Sequence, residues 1–169
     1  MRRQSPIDIS IREAKESDTE EITQLFYETI QSVNIRDYSQ EDVDDWSSWY
    51  RDTDKWKEGI SSQFFIVAIY NSMIVGFGSL AVDGYLDFMF IHKDFQRRGI
   101  AAKLLEVLEE KAISQNNKSV YSEVSITARG FFESHGYKVV KQQLKKSRDR
   151  ALVNYIMFKE IISNLSIVR

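Results

Sequence analysis

The chain has 169 residues, of which 43% are hydrophobic and 28% are charged. These values are typical of one globular domain, here residues 1–169, with a sizeable core. The 23 basic residues nearly balance the 25 acidic ones, which argues against nucleic acid or an anionic membrane as a partner. The absence of cysteine excludes disulfides, thiolate metal sites and a cysteine nucleophile. The polar N-terminus and the lack of a long apolar run predict a cytoplasmic protein without a membrane span.

The first part of the chain predicts a strand followed by helices. Residues 7–11 alternate isoleucine with polar residues, which is typical of a half-buried strand. Asp18 or Ser17 can cap a helix whose apolar residues fall on one face, and Ser39 begins a second helical pattern. The pattern around residues 55–60 indicates a further short helix.

Strands dominate the middle and the end of the chain. Residues 64–70 and 74–82 predict a hairpin that turns at Asn71 and Ser72, and residues 85–92 predict the next strand. A long amphipathic helix follows. The remaining pattern predicts a strand, a short helix closed by Gly136 and two antiparallel strands, at 120–124, 128–135, 137–144 and 152–158. The order βααβββαβαββ predicts a mixed α/β domain around one central sheet.

The most informative segment joins the 85–92 strand to the long helix and has the sequence Gln96-Arg97-Arg98-Gly99-Ile100-Ala101. The first turn of a helix has unpaired N–H groups and the positive end of the helix dipole. Gly99 lets a ligand approach the backbone where a Cβ would obstruct it, and the two arginines add positive charge. Together these features predict a site for a phosphate or a pyrophosphate.

Two motifs resemble those of the GNAT superfamily of acyl-CoA-dependent N-acetyltransferases. Gln96, Gly99 and Ala101 match the family motif Q/R-x-x-G-x-G/A in full. The second signature, A-x-x-F-[YF]-x-x-x-G-[FY], is matched by Ala128, Phe131, Phe132, Gly136 and Tyr137. The resemblance covers residues 7–158, and residues 125–128 and 141–143 are similar to the YafP-like branch of small bacterial GNAT proteins. It implies the GNAT fold, with a mostly antiparallel central sheet.

The resemblance also implies where acetyl-CoA binds. The diphosphate of coenzyme A is expected on the backbone amides that begin at Arg97 and end at Ala102. The pantetheine arm is expected along the preceding strand, where it pairs with main-chain groups of Met89 and Ile91. A backbone N–H close to Met89 or Phe90 would polarise the acetyl carbonyl. Phe131 would lie near the coenzyme. No metal is expected, because the sequence has no cluster of metal-ligand residues.

Acyl transfer needs a neutral amine, and a base provides one by taking a proton from the ammonium form. Asp87 is the first candidate for this base, because its apolar neighbours would exclude water and raise its pKa. Strand alternation places Tyr85, Asp87, Met89 and Ile91 on one face, so Tyr85 joins Asp87 as a candidate catalytic residue. An edge residue or an ion-pair partner is the other interpretation of Asp87.

The general acid departs from the family pattern. Many relatives have a tyrosine at the position of Phe132, where it protonates the departing thiolate, and an asparagine at the position of Ser125. A phenylalanine has no proton to donate. Tyr121, Ser125 and Tyr155 are the alternative donors, and the absence of cysteine favours direct transfer over an acyl-cysteine route.

Aromatic and acidic residues are concentrated between the first helix and the hairpin. Tyr38, Trp46 and Trp49 either pack in the core or, as the resemblance implies, line the acceptor pocket. The acidic residues of the 41–45 segment form either a solvated helix face or a charge that draws a cationic acceptor toward the cleft.

The sequence thus favours an acetyl-CoA-dependent N-acetyltransferase that acetylates a primary amine of a small molecule or a peptide. The alternative is a GNAT-fold acyl-CoA-binding sensor or regulatory protein with little catalysis, which the phenylalanine at position 132 motivates. Either a monomer or a homodimer is compatible with the sequence.

Overall fold

The structure is a computed structural model that describes residue 5 and residues 7–161. The strands in this part are β1 (Ser10–Glu13), β2 (Phe64–Tyr70), β3 (Met73–Leu80), β4 (Leu86–Ile91), β5 (Ser119–Ser125), β6 (Lys138–Lys146) and β7 (Ala151–Glu160). The α-helices are α1 (Thr19–Ser32), α2 (Gln40–Ser47), α3 (Thr53–Ser62), α4 (Ile100–Ser114) and α5 (Arg129–Ser134). The predicted order is confirmed with one addition, because α3 is a full helix between α2 and β2.

The strands form two antiparallel ladders rather than one continuous sheet. One ladder has the order β1-β2-β3-β4, and the other has the order β5-β7-β6. A parallel bridge between Tyr85 and Tyr121 joins them, and the Ser122 hydroxyl donates to the Leu86 carbonyl at 2.7 Å. Beyond this junction β4 and β5 separate, so a cleft opens between their C-terminal ends.

Several local sequence signals form the predicted structures. The Ser39 hydroxyl caps α2 by accepting the Asp42 N–H at 3.1 Å. The β2–β3 hairpin turns at Asn71 and Ser72, whose φ angles of 48° and 64° match the twist of a two-residue hairpin loop. Gly136 follows α5 with a φ of 90°, as expected of the residue that ends a helix.

Two apolar clusters cover the two faces of the four-stranded ladder. Helix α4 buries Leu104 and Leu108 on one face, and α1 and α3 bury Phe26 and Trp56 on the other. Ile7 is buried in the α4 cluster, but β1 begins only at Ser10. The alternating pattern therefore begins before the observed first strand does. Within the described part of the chain, no helix has the length and apolar character needed to cross a membrane.

Candidate active site

A cleft of about 1600 Å³ occupies the space where β4 and β5 separate. The start of α4 and helix α5 line one end, and α1, α3 and the end of β6 line the other. All the site residues predicted from the sequence line this cleft, namely Tyr38, Trp46, Trp49, Tyr85, Asp87, residues 89–91, residues 96–102 and Phe131. The fold therefore brings together residues that are far apart in the sequence.

The N-terminus of α4 has open backbone donors. Gly99 is its N-cap, with a φ of 83°, and nothing lies within 4 Å of the position that a Cβ would take. The first helical hydrogen bond runs from the Lys103 N–H to the Gly99 carbonyl. The N–H groups of Ile100, Ala101 and Ala102 therefore have no partner within the helix. A ligand can approach these donors without meeting a side chain at Gly99.

The loop before Gly99 is held by its own side chains and contains an unpaired donor. The Gln96 amide donates to the Ile91 carbonyl at 2.7 Å, which ties the loop to the end of β4. Arg97 is exposed and has a φ of 58°, whereas Arg98 is half-buried. The Nε of Arg98 is buried and has no hydrogen-bond partner among the described residues. A buried donor without an acceptor is costly, and a phosphate would satisfy it. These features fit the diphosphate of coenzyme A.

The edge of β4 that faces the cleft has free main-chain groups. The His92 N–H donates to a β3 carbonyl, so the alternating pattern of the ladder directs the main-chain groups of Phe90 toward β3 as well. Those of Met89 and Ile91 point the other way, into the cleft. The Ile91 carbonyl already accepts the Gln96 amide. The main-chain groups that remain free on the cleft side are therefore those of Met89 and the N–H of Ile91. Of the two residues predicted to supply a backbone donor to an acetyl group, only Met89 has its N–H on the cleft side.

A β-bulge at Asp87 changes the alternation predicted for β4. Leu86 pairs with Leu80, and Phe88 pairs with the adjacent Ser79, so Asp87 is the extra residue. The prediction that Asp87 shares a face with the other odd-numbered residues of β4 is wrong at this point. The even-numbered Leu86 packs on the α4 side instead, because one inserted residue reverses the alternation.

Asp87 lies in a polar group that the sequence did not reveal. Its carboxylate accepts the Gln63 amide at 2.9 Å, and Glu123 pairs with Lys145 at 3.0 Å nearby. Burial raises the pKa of Asp87, the hydrogen bond from Gln63 opposes this rise, and the charge of Glu123 adds to it. A carboxyl group with a raised pKa in a cleft is suited to accept a proton. Alternation along β5 could have indicated Glu123, but no sequence signal joins Gln63 to Asp87.

Tyr85 lies at the junction of the two ladders, and its ring centroid is 5.1 Å from that of Tyr121. Burial raises the pKa of Tyr85, and the nearby charges of Glu123 and Asp87 raise it further. The phenol therefore stays protonated at neutral pH and can donate a hydrogen bond but not act as a base. Among the described residues, no group of three or more His, Asp or Glu side chains is placed to hold a metal ion.

The structure separates the alternative proton donors. Phe132 is 2% exposed and packs edge-on against Phe131 and Tyr137, so its ring belongs to the core. Of Tyr121, Ser125 and Tyr155, only Ser125 lines the cleft. The Ser125 hydroxyl accepts the backbone N–H that precedes α5, at 3.1 Å.

The aromatic residues predicted at the acceptor pocket both pack and line the cleft. The Tyr38 hydroxyl donates to the Val153 carbonyl at 2.6 Å and accepts the Ile126 N–H at 2.9 Å. Burial raises the pKa of Tyr38 to about 12. The ring of Trp46 lies 5.6 Å from that of Tyr38, and the Trp49 indole is hydrogen-bonded to the turn between β6 and β7.

The comparisons with known proteins agree with this geometry. A family profile described as an acetyltransferase (GNAT) domain matches residues 34–155. The chain therefore belongs to the GNAT family and is an acetyltransferase. It is 30% identical to the N-acetyltransferase YafP of Escherichia coli K12 over 149 residues, which cover 88% of this chain and 94% of YafP.

Solved structures have the same fold. A GCN5-related N-acetyltransferase of Rhodopseudomonas palustris superposes with a TM-score of 0.88 at 25% identity, over 95% of this chain and 98% of the other. The PaiA N-acetyltransferase of Thermoplasma acidophilum, solved in complex with coenzyme A, superposes with a TM-score of 0.75 at 20% identity, over 91% and 99%.

Proposed function

We propose that the protein transfers the acetyl group of acetyl-CoA directly to a primary amine of a small molecule or a peptide. The continuity of the cleft carries this proposal. It runs from the open N–H groups of α4, along the free edge of β4, to the half-buried carboxyl group of Asp87. A donor bound at the first two places and an amine bound at the third would meet in one cavity.

The coenzyme is proposed to bind mainly through the backbone. The N–H groups between Arg97 and Ala102 and the Nε of Arg98 would hold the diphosphate. The free main-chain groups of Met89 and the Ile91 N–H would pair with the pantetheine arm, and Phe131 would cover it from α5. The coenzyme A bound to the PaiA relative supports this choice of cofactor.

Each group in the cleft has one role in the proposed transfer. Acetyl-CoA supplies the acetyl group as a thioester, whose C–S bond breaks as the amine nitrogen forms the new C–N bond. Asp87, as the carboxylate, takes the proton that the amine loses, directly or through water. The Met89 N–H donates to the carbonyl oxygen on which charge develops. The sulfur leaves with the bonding electron pair, and Tyr85 contributes a protonated phenol beside Asp87.

Two measurements test this proposal. A ligand at about a hundred times its Kd raises the free energy of unfolding by about 2.7 kcal/mol. Acetyl-CoA and coenzyme A should therefore raise the melting temperature, whereas ATP and NAD should not. Free thiol should then be released from acetyl-CoA only when an amine is added. Stabilisation by ATP or NAD in place of acetyl-CoA would contradict the cofactor assignment.

A second candidate function is an acyl-CoA-binding sensor with little catalysis. The buried, hydroxyl-free ring of Phe132 favours it, because the proton donor usual in the family is missing. In that case acetyl-CoA would stabilise the protein, yet no amine would increase thiol release above the rate of the protein-free control.

A further inference from the structure

The turn between β6 and β7 (residues 147–150) is fastened to the α2 region on the opposite side of the cleft. The Asp45 carboxylate accepts the backbone N–H groups of Arg148 at 3.1 Å and of Asp149 at 3.0 Å. The Arg148 guanidinium also pairs with Asp52 at 2.6 Å. Charged acceptors on backbone donors make some of the stronger hydrogen bonds, so these contacts hold the turn in place.

Further contacts complete this connection, which we call the strap. The Trp49 indole donates to the Ser147 hydroxyl at 3.0 Å, and the Arg148 guanidinium lies 4.1 Å from the centroid of the same indole ring. Arg150 pairs with Asp42 at 2.5 Å. A guanidinium stacked on a tryptophan while paired with a carboxylate is held from two directions.

The strap includes acidic residues of the 41–45 segment, for which the sequence allows either a solvated helix face or a charge that draws a cationic acceptor. Asp42 and Asp45 bind the turn, so they are neither a simple solvated face nor free to attract an acceptor. Asp44, between them, points elsewhere and accepts the side-chain amides of Gln31 at 2.9 Å and Gln40 at 2.8 Å. It offers a matched control for the other two.

The strap and Tyr38 close the acceptor side of the cleft at two places. Tyr38 connects the segment before α2 to Ile126 and Val153, and Trp49 connects the segment after α2 to Ser147. A peptide that presents a lysine side chain continues in both directions from that residue and advances about 3.3 Å per residue, so it needs a groove that is open at both ends. Such a chain could not pass between the walls here without breaking one of these connections.

The inner end of the cleft suits a compact, positively charged guest. Asp87 and Glu123 place carboxylates at its inner end, and the Oε1 atom of Gln63 is buried there without a partner among the described residues. A stacked pair, Trp56 and Phe88, forms an apolar wall with ring centroids 4.8 Å apart. An ammonium group would supply the missing donor to Gln63, and an apolar body would pack on the rings.

We infer that the acceptor is a small amine with an apolar body, and that Asp45 and Arg148 set this specificity by closing the pocket against peptides. This inference rests on the acetyl transfer proposed above. The proposed function allows two acceptor classes, a small molecule or a peptide, and this inference selects the small molecule.

The acceptor class can be tested on the wild-type protein by coenzyme A release. One panel contains hexylamine, cyclohexylamine and phenethylamine, and the other contains a tetrapeptide with a free N-terminus and an N-acetylated tetrapeptide with one lysine. We expect kcat/KM for the best small amine to exceed that for either peptide by at least about tenfold, or 1.4 kcal/mol. Equal or faster turnover of a peptide would overturn the inference. If neither panel releases thiol while acetyl-CoA raises the melting temperature, the proposed transfer itself fails, and the inference fails with it.

The role of the strap is tested with the double substitution Asp45→Ala and Arg148→Ala. We expect the ratio of kcat/KM between small amine and peptide to fall by at least about tenfold, mainly through a lower KM for peptide. Asp44→Asn removes a charge from the same helix without touching the turn, so its ratio should match the wild type. If the double variant does not fold, the single substitution Arg148→Ala is used in its place, because it keeps the backbone hydrogen bonds to Asp45. An unchanged ratio in a folded variant would refute the role assigned to the strap.

Discussion

Replacement of Asp87 by asparagine separates its chemistry from its contribution to the fold. The substitution Asp87→Asn keeps the size of the side chain and an oxygen that can accept the Gln63 amide, which Asp87 accepts at 2.9 Å. It removes the negative charge and with it the ability to take a proton. Because general acid–base catalysis contributes about 10²- to 10⁴-fold, kcat should fall by that factor, about 2.7 to 5.4 kcal/mol. The affinity for acetyl-CoA should stay close to that of the wild type.

The stability of the variant follows from the direction of the pKa shift. Burial raises the folded-state pKa of Asp87 above its unfolded value, so the folded protein holds this proton more tightly. The resulting stability is fully present below the unfolded pKa and is lost as pH rises through the folded pKa. Asparagine cannot ionise, so at pH 8 the free energy of unfolding of the variant should equal or exceed that of the wild type.

The assay is the pH profile of kcat/KM from thiol release, together with urea unfolding at pH 5 and pH 8. The wild-type rate should rise with pH as Asp87 ionises, and the variant should lose this limb. Asp83→Asn is the control, because Asp83 lies outside the cleft and its pKa is lowered, first by the hydrogen bond from Tyr121. Its substitution should cost stability above the unfolded pKa and leave the profile intact. Wild-type turnover by the Asp87 variant would remove this carboxylate from the mechanism.

Other substitutions address the loop before α4 and the two walls of the cleft. Gly99→Ala should cost about 1–2 kcal/mol of stability for a left-handed residue and raise the Kd for acetyl-CoA, measured by calorimetry. Gly84→Ala, whose Cβ would lie 2.5 Å from a backbone oxygen, should lower the melting temperature much further than Gly99→Ala; equal shifts would contradict the packing argument. Gln63→Leu removes the hydrogen bond that opposes the raised pKa of Asp87, so the rising limb of the kcat/KM profile should move to higher pH. An unmoved limb would count against Asp87 as the group that causes it. Tyr38→Phe leaves a half-buried N–H and a carbonyl without their partner and should cost about 1–3 kcal/mol in urea unfolding. Below pH 11 the pH profile of the variant's rate should match that of the wild type, because Tyr38 has a pKa of about 12 and stays protonated in that range.

The loop between β4 and α4 was predictable because it depends on a short segment and on the backbone. A strand, a glycine and a helix start are local patterns, and the structure has all of them within residues 86–114. The side chain of Arg97 is exposed and adds little to the position of the N–H groups. For the same reason, the motif was matched without information about any distant residue.

The bulge at Asp87 was not predictable from β4 alone. It depends on the register with β3, where Ser79 pairs with Phe88 and Leu80 pairs with Leu86. The segment from Tyr85 to Ile91 alternates equally well with or without an extra residue. The strap was hidden for a similar reason, since Asp45 binds a turn that lies 103 residues further along the chain.

The loss of the usual tyrosine at position 132 matters less than the presence of Asp87. At pH 7 an amine with a pKa near that of lysine must lose a proton at a cost of about 4.6 kcal/mol, because its reference value is about 10.4. A thiol with a reference pKa of about 8.5 leaves as thiolate at a cost of only about 2 kcal/mol relative to the thiol. Phe132 keeps the packing role of an aromatic ring, with its centroid 5.1 Å from that of Tyr137, and gives up the smaller of the two proton transfers. The distinction between enzyme and sensor therefore depends on Asp87 more than on Phe132.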